Sequence, residues 1–341
     1  MTSHTLREQI HSELDRLQFG AARRKIAIGS IPIGLGGQIT CRLDGLRLAL
    51  ALGAKAIFGR LADPPYTQVF QPMDNSLIFP DQEKWPPIDL NDPGSGTELY
   101  MRPGRFSTHD NGTNEQNTLR LICLRLNINS ISSLVLDGII LDWLRLTDDV
   151  HQYCQAAATR LGVSSSTLGV HLRRGDKQVE TAFVPASEVN RQILQMHNAW
   201  AFDSIFLASD DPGARDAIQL PTGVRLLFDD NEKRYNNANH KMLLANQRLA
   251  EQETLTAIKN IYLLWSCGGL IGQDNAHFAT IAAAKIACHT NEDRISLING
   301  RFSERRSLTL RMLFACRKKM RAYAKAIFPQ LGLENRYRHK I

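Results

Sequence analysis

Apolar positions recur along the chain with two different periods, and their order predicts an α/β protein. Residues 3–19 have helical spacing, and the stretch KIAIGSIPIGLGGQ then predicts a strand that runs into a glycine-rich turn. A second helix is predicted over 39–55 and a second strand over 56–60. This order of strand, helix and strand is typical of a parallel sheet.

The same order returns in the second half. The stretch TLGVHL, 167–172, predicts a strand, and a helix is predicted over 186–199. Two more strands follow in SIFLAS and VRLLFDD, and a helix–strand–helix series spans 255–288. Between the halves, helical patterns occupy 131–147 and 148–162, where Gly162 suits a C-cap. Residues 62–115 are rich in Pro, Asp, Asn and Gly, which predicts long loops.

A chain of 341 residues is long for a single core, and the repeated order indicates two doubly wound α/β domains. We predict an N-terminal domain over 1–163, a C-terminal Rossmann-like domain over 164–300, and a basic helix and tail over 301–341. The small polar stretch GVSSST marks the boundary.

Composition excludes several classes of protein. Hydrophobic residues make up 43% and charged residues 22%, which is typical of a soluble globular protein. The polar start of the chain and the lack of a long apolar run predict a cytoplasmic protein. The six cysteines form no CxxC pair, so we expect reduced thiols and no zinc site. No other metal or cofactor is expected either.

Positive charge is concentrated at the C-terminus. Residues 301–341 hold twelve Lys and Arg against two Glu, although the whole chain has a net charge of only +7. The sequence pI of about 9.2 therefore does not indicate a nucleic-acid partner. The tail predicts a basic amphipathic helix, which either docks on the domains or contacts an anionic membrane peripherally.

The stretch HLRRGDKQVE, 171–180, carries most of the candidate chemistry. It follows a strand, and Arg173 and Arg174 have the planar, permanent charge that suits a diphosphate. Lys177 and Glu180 are three residues apart, so one helical turn would pair a general base with a balancing cation. The alternative is a solvated surface turn with salt bridges.

Three further motifs lie between a predicted strand and a helix. Gly36 and Gly37 allow the backbone to approach an anionic ligand, or they form a simple tight turn. Asp210 and Asp211 are interpreted as helix-capping and hydrogen-bonding residues of the site, without a metal. Asn275 is either a phosphate contact or a plain N-cap.

In this order the motifs resemble the α1,6-fucosyltransferase family, which includes the eukaryotic core fucosyltransferases and the rhizobial nodulation fucosyltransferases. The resemblance spans roughly residues 25–290. It is carried by GGQITCRLDGLRLALALGAKAIF, YTQVFQPM, the long helix that leads into HLRRGDK, IFLASDDP and GLIGQDNAHFATIAA.

The resemblance implies a GT-B architecture, in which two facing Rossmann-like domains enclose a nucleotide-sugar cleft. It implies an inverting, metal-independent enzyme that moves fucose from GDP-fucose to a hydroxyl of an oligosaccharide acceptor. An α1,6 linkage to a GlcNAc-type acceptor is the first expectation, by analogy only. The alternatives are another GDP-sugar, a protein acceptor, or a nucleotide- or glycan-binding protein that has lost catalysis.

The same resemblance assigns roles to individual residues. Arg173 would hold the β-phosphate of GDP, and Glu180 with Lys177 would take the proton from the acceptor. Asp176 would complete the catalytic group. The remaining donor-binding positions are His171, Arg174, Gly36, Gly37, Asp210, Asp211, Asn260 and Asn275. The chain departs from the family near Val189, where the family has tyrosine, near Asn260, where it has aspartate, and near Asn275 or Ala276, where it has serine.

Overall fold

The computed structural model describes residues 3–28, 34–58, 69–71, 88, 98–101, 113–174, 184–232, 246–290 and 292–298. The helices are α1 (Ser3–Phe19), α2 (Leu35–Leu52), α3 (Thr113–Leu126), α4 (Ser133–Trp143), α5 (Asp148–Leu161), α6 (Ala186–Ala199), α7 (Gln247–Trp265) and α8 (His277–Ala287). The strands are β1 (Arg24–Ile28), β2 (Ala54–Phe58), β3 (Glu98–Met101), β4 (Thr167–Leu172), β5 (Ser204–Ser209), β6 (Arg225–Leu227), β7 (Gly269–Gln273) and β8 (Ile295–Ile298). Two 3-10 helices span Pro212–Ala217 and Glu292–Arg294.

These strands form two parallel sheets. The N-terminal sheet has the order β2-β1-β3, and the C-terminal sheet has the order β6-β5-β4-β7-β8. In the second sheet, β4 pairs with β5 on one side and with β7 on the other. The chain order reverses between β4 and β7, and in such sheets ligands bind outside the carboxyl ends of the strands at this point.

Local sequence explains the elements beside this reversal. Every residue of β4 is buried, as expected for a central parallel strand covered on both faces. The preceding helix, α5, ends where Gly162 takes a left-handed conformation with φ 72°. Helix α6 buries Val189, Ile193 and Met196, which lie on one helical stripe.

The parallel α/β class and most predicted elements are confirmed, including α1, α6 and β4 with their predicted bounds. The sequence did not predict β3, α3, β8 or the 3-10 helix Glu292–Arg294. The helix before β7 was predicted to begin at residue 255, whereas α7 begins at Gln247. Strand β3 lies inside the region predicted to be loops, most of which is outside the described residues. The predicted tail helix, 301–341, is also outside them.

The largest apolar cluster joins the two halves of the sequence. It contains residues of α1, α2 and α4 together with Ile258 and Ile261 of α7 and Ile281 of α8. Helices α4 and α8 meet closely at Gly138, where an added Cβ would lie 2.1 Å from the carbonyl oxygen of Ala284. The domain boundary at 163/164 stays a prediction. Among the described helices, none combines the length and apolar character needed to cross a membrane.

Candidate functional site

His171 lies near the carboxyl end of β4 and is only 5% exposed. Its ring stacks on Phe278 of α8, with centroids 5.6 Å apart and planes at 26°. Burial, assisted by the charge of Arg173, lowers the pKa of His171 to about 4, against the opposing effect of Asp210. The imidazole is therefore neutral at neutral pH. Its Nδ1 is buried and has no hydrogen-bond partner among the described residues.

Arg173 and Arg174 follow directly after the end of β4. Buried guanidinium nitrogens of both side chains, Nε of Arg173 and Nε and Nη2 of Arg174, have no hydrogen-bond partner in the described part of the chain. Buried cationic donors are normally hydrogen-bonded or ion-paired, because desolvation of an unpaired charge is costly. Two neighbouring guanidinium groups whose buried donors have no partner in that part of the chain form a site that suits an anion.

The two aspartates after β5 have different tasks. Asp210 accepts a hydrogen bond of 2.7 Å from the backbone N–H of Arg174, so it joins the end of β5 to the end of β4. Asp211 is the N-cap of the 3-10 helix and accepts from the backbone N–H of Gly213 at 2.9 Å. The expected capping role is found at Asp211, and Asp210 fixes the loop that carries the arginines.

The glycines of α2 lie against the N-terminus of α8. A Cβ on Gly36 would lie 2.8 Å from Cβ of His277 and 3.0 Å from the ring of Phe278. Beside it, Thr40 Oγ1 is 2.9 Å from Nδ1 of His277. Gly36 thus has a packing reason of its own, and Gly37 is buried in the same helical turn. The start of α2 therefore contacts Phe278, whose ring stacks on His171.

Asn260 belongs to a buried polar network beyond β6. Its Nδ2 donates to Glu232 Oε1 at 2.8 Å, while Lys259 Nζ donates to Glu232 Oε2 at 2.8 Å and to Asp229 Oδ2 at 2.7 Å. Asp229 also accepts from Arg160 at 3.0 Å. The amide of Asn260 therefore fixes the chain after β6, and Glu232 is a neighbour that the sequence analysis missed.

Asn275 is exposed and lies in the turn between β7 and α8. The N-cap of α8 is Ala276, which has no side chain able to accept from the first turn. The interpretation of Asn275 as the N-cap is therefore wrong. The first N–H groups of α8 lack a side-chain cap beside Phe278, and such groups favour anions.

The structure thus brings together His171, Arg173, Arg174 and Asp210, with Gly36 packed behind Phe278. Asp176, Lys177 and Glu180 lie outside the described residues, and their roles stay predictions. Phe278 was missed because an aromatic residue in the first turn of an apolar helix resembles any core residue in sequence.

One group of possible metal ligands occurs among the described residues. Asp142, Cys288 and His289 offer atoms within 4.8 Å of one another at the end of α8 that is opposite to Phe278. Asp142 is already the partner of the Lys285 ammonium, of His289 and of Arg7 at 3.4 Å. Burial and the charges of Arg7 and Lys285 lower the pKa of His289 to about 4, so the two cations beside Asp142 are Arg7 and Lys285. Their ion pairs with Asp142 make the group a structural cluster.

No protein-family model and no curated protein matches the sequence. Solved structures with partial similarity include fucosyltransferase NodZ from Bradyrhizobium, at 14% identity and a TM-score of 0.45 over 76% of this chain and 92% of that chain. POFUT1 in complex with GDP has 10% identity and a TM-score of 0.41 over 82% and 99% of the two chains. A variant of Arabidopsis thaliana FUT1 in complex with GDP has 10% identity and a TM-score of 0.49 over 82% and 72%. Because these TM-scores are below 0.5, the function proposed below rests on the residues of this chain alone.

Proposed function

We propose that the chain is an inverting, metal-independent glycosyltransferase that transfers fucose from GDP-fucose to a glycan hydroxyl. The observation that carries the proposal is the pair of arginines at the end of β4, whose buried guanidinium nitrogens have no partner among the described residues. They lie where the strand order reverses, which is the expected position of a nucleotide in such a sheet. The ordered motifs of the sequence favour GDP-fucose as the donor.

The charges around this site suit a departing diphosphate. Arg173 and Arg174 supply two permanent positive charges, and neutral His171 supplies a hydrogen-bonding nitrogen without adding a third. Fixed cations that meet the charge developing on the leaving group lower the barrier to transfer. In a metal-independent reaction this task belongs to the arginines.

The base is assigned from the sequence. Glu180, with its charge balanced by Lys177, would take the proton from the acceptor hydroxyl as it attacks the anomeric carbon from the face opposite to the diphosphate. Inversion follows from this single displacement. The wider assignment, two facing domains with acceptor on the N-terminal side and a GlcNAc-type acceptor, belongs to the same proposal.

Calorimetry with GDP, GDP-fucose, GDP-mannose and UDP-GlcNAc tests the donor. We expect binding of the GDP compounds, with GDP-fucose as the one that is turned over, and no binding of UDP-GlcNAc. Failure of every GDP compound to bind would overturn the proposal. Turnover of GDP-mannose instead would favour the other-donor alternative.

The mechanism needs a separate test. Glu180→Gln should lower GDP release in the presence of acceptor by about 10²- to 10⁴-fold while GDP still binds. Turnover near the unmodified level would exclude Glu180 as the base. Activity should also persist in excess chelator.

A further inference from the structure

Arg42 lies on the second turn of α2 between two aromatic rings. Its guanidinium carbon is 5.8 Å from the ring centroid of Phe58 and 5.7 Å from that of Phe70. Phe58 ends β2, and Phe70 forms an isolated bridge with Leu146, so two separate segments converge on this side chain. The rings hold the guanidinium in one place, which prepares it to bind rather than leaving it as a mobile surface cation.

The charge of Arg42 has no counter-charge among the described residues. Burial lowers the pKa of Arg42, and no carboxylate in the described ranges forms an ion pair with it. Burial raises the pKa of Asp44, two residues later, well above its usual value, and the cation that interacts favourably with Asp44 is Arg47. Contacts with aromatic rings offset only part of the desolvation of a guanidinium. An anion bound at Arg42 would supply the remaining compensation.

Its position connects Arg42 to the candidate site. Helix α2 follows β1, so its first turns lie at the carboxyl edge of the N-terminal sheet, where β2 also ends at Phe58. Thr40, two residues before Arg42, contacts His277, whose neighbour Phe278 stacks on His171. Arg42 therefore belongs to the N-terminal half, and its helix is connected through His277 and Phe278 to the end of β4.

We propose that Arg42 binds an anionic group of the acceptor, a carboxylate, sulfate or phosphate, and that the acceptor is consequently an acidic glycan. This rests on the proposed function, because it takes the transfer reaction as given. In the proposed function, the donor diphosphate is bound by Arg173 and Arg174, which follow β4 of the C-terminal sheet. Arg42, at the edge of the N-terminal sheet, is therefore assigned to the acceptor. The planar fork of arginine suits all three anionic groups.

Kinetics with two GlcNAc-containing oligosaccharides that differ only by one sulfate or one uronic acid test this proposal. The full-length chain should use the acidic oligosaccharide with a kcat/KM about tenfold to hundredfold higher than the neutral one. Arg42→Met should remove that preference by raising the KM for the acidic acceptor. Arg42→Lys should keep part of it, and Arg120→Met, at an exposed arginine of α3, should keep all of it.

Three results would overturn the proposal. One is an unmodified chain that does not prefer the acidic acceptor. Another is an Arg42→Met variant that loses activity equally toward both acceptors, which would indicate a purely structural role for Arg42. The last is a loss of GDP affinity in that variant, which would assign the anion to the donor.

Direct calorimetry with the acidic oligosaccharide separates this proposal from the proposed function. If no GDP compound binds, the transferase assignment fails, yet binding of the acidic oligosaccharide is still expected to weaken in Arg42→Met. Should that variant be unfolded, Arg42→Gln, which also removes the charge, gives the same comparison. Equal binding of the acidic oligosaccharide by the unmodified chain and by the neutral variant would refute the role of Arg42.

Discussion

Both halves of the molecule contain arginines with buried nitrogens, but the partners of these arginines differ. In the N-terminal half, Arg47 is 5% exposed and donates to both carboxylate oxygens of Asp137 at 2.5 Å, with Glu115 at 3.8 Å. At the end of β4, Arg173 and Arg174 keep buried nitrogens that no described residue accepts from. The paired arginine holds α2 against α4, whereas the described residues supply no acceptor for those nitrogens of Arg173 and Arg174, as a bound anion would.

The difference follows position rather than the half of the molecule. Lys259, in the C-terminal half, is 4% exposed and fully engaged with Asp229 and Glu232. Arg47 and Lys259, both inside helices, thus have carboxylate partners. Arg42, Arg173 and Arg174 have none among the described residues, and all three lie near the carboxyl ends of parallel strands.

The largest effect is expected at the paired arginine. Arg47→Met leaves Asp137 buried without its partner, which should lower the free energy of unfolding by about 3–5 kcal/mol. Denaturant unfolding measures the loss, and Arg47→Met combined with Asp137→Leu should recover most of it. A loss below about 1 kcal/mol would mean that the pair does not hold α2 to α4.

The unpaired arginine should show the reverse behaviour. Arg173→Met should lower transfer activity by about 10²- to 10³-fold, because a fixed charge is lost from the leaving diphosphate. Its unfolding free energy should change less than that of Arg47→Met, because no described residue accepts a hydrogen bond from Nε of Arg173. Arg191→Met, at an exposed arginine paired with Glu188, is the control for charge loss. Comparable activity in both variants would contradict the distinction between paired and unpaired arginines.

A smaller effect tests how the N-terminal half supports the ring beneath His171. Gly36→Ala places a Cβ against His277 and Phe278 and should destabilise the fold by about 1–3 kcal/mol. Gly34→Ala is the matched control, because a Cβ there meets nothing within 4 Å and φ is −59°. It should change stability by less than about 0.5 kcal/mol. The melting temperatures of the two variants test this expectation. Equal decreases in both would show that Gly36 has no special packing role.

The smallest effect concerns an unpaired carboxyl group. Glu253 of α7 has a buried Oε2 without a partner among the described residues, and burial raises its pKa to about 7. The group binds its proton more tightly in the folded state, so its contribution to stability is complete below about pH 4.5 and is lost as pH rises through 7. Between pH 5 and 8 the melting temperature should fall by a few degrees in the unmodified chain.

Glu253→Gln should flatten that decline. Glu251→Gln should leave the decline in melting temperature unchanged. Glu251 lies about half a helical turn from Glu253, and its carboxylate accepts a hydrogen bond from Gln247. If the melting temperature decreased equally with pH in the unmodified chain and both variants, ionisation of Glu253 would not limit stability.

Sequence patterns predicted what depends on neighbours along the chain. The uninterrupted apolar run of β4, the stripe of α6 and the arginines directly after a strand are local features, and each was found where it was predicted. Strand β3 was missed because four residues in a region rich in Pro and Gly give no detectable period. Strand β8 is equally short, at the edge of its sheet.

The unpredictable part of the site depends on contacts between distant residues. The sequence does not distinguish Arg42 from Arg47, two cations of the same helix. Only their spatial neighbours separate the ion pair of Arg47 from the aromatic contacts of Arg42. Gly36 was expected to approach a ligand, yet its nearest neighbours belong to a helix more than two hundred residues later. Tertiary packing, and not periodicity, contains that information.

The close contact of α4 with α8 at Gly138 has a consequence for motion. Because the carbonyl oxygen of Ala284 occupies the space of a side chain there, the two helix backbones are in close contact, and close packing of this kind resists sliding of one helix along the other. This contact, beside the shared apolar cluster, should restrict motion of α4 relative to α8. In the proposed reaction, substrate exchange should therefore depend on rearrangement at the strand ends, and a disulfide between α4 and α8 should not slow turnover.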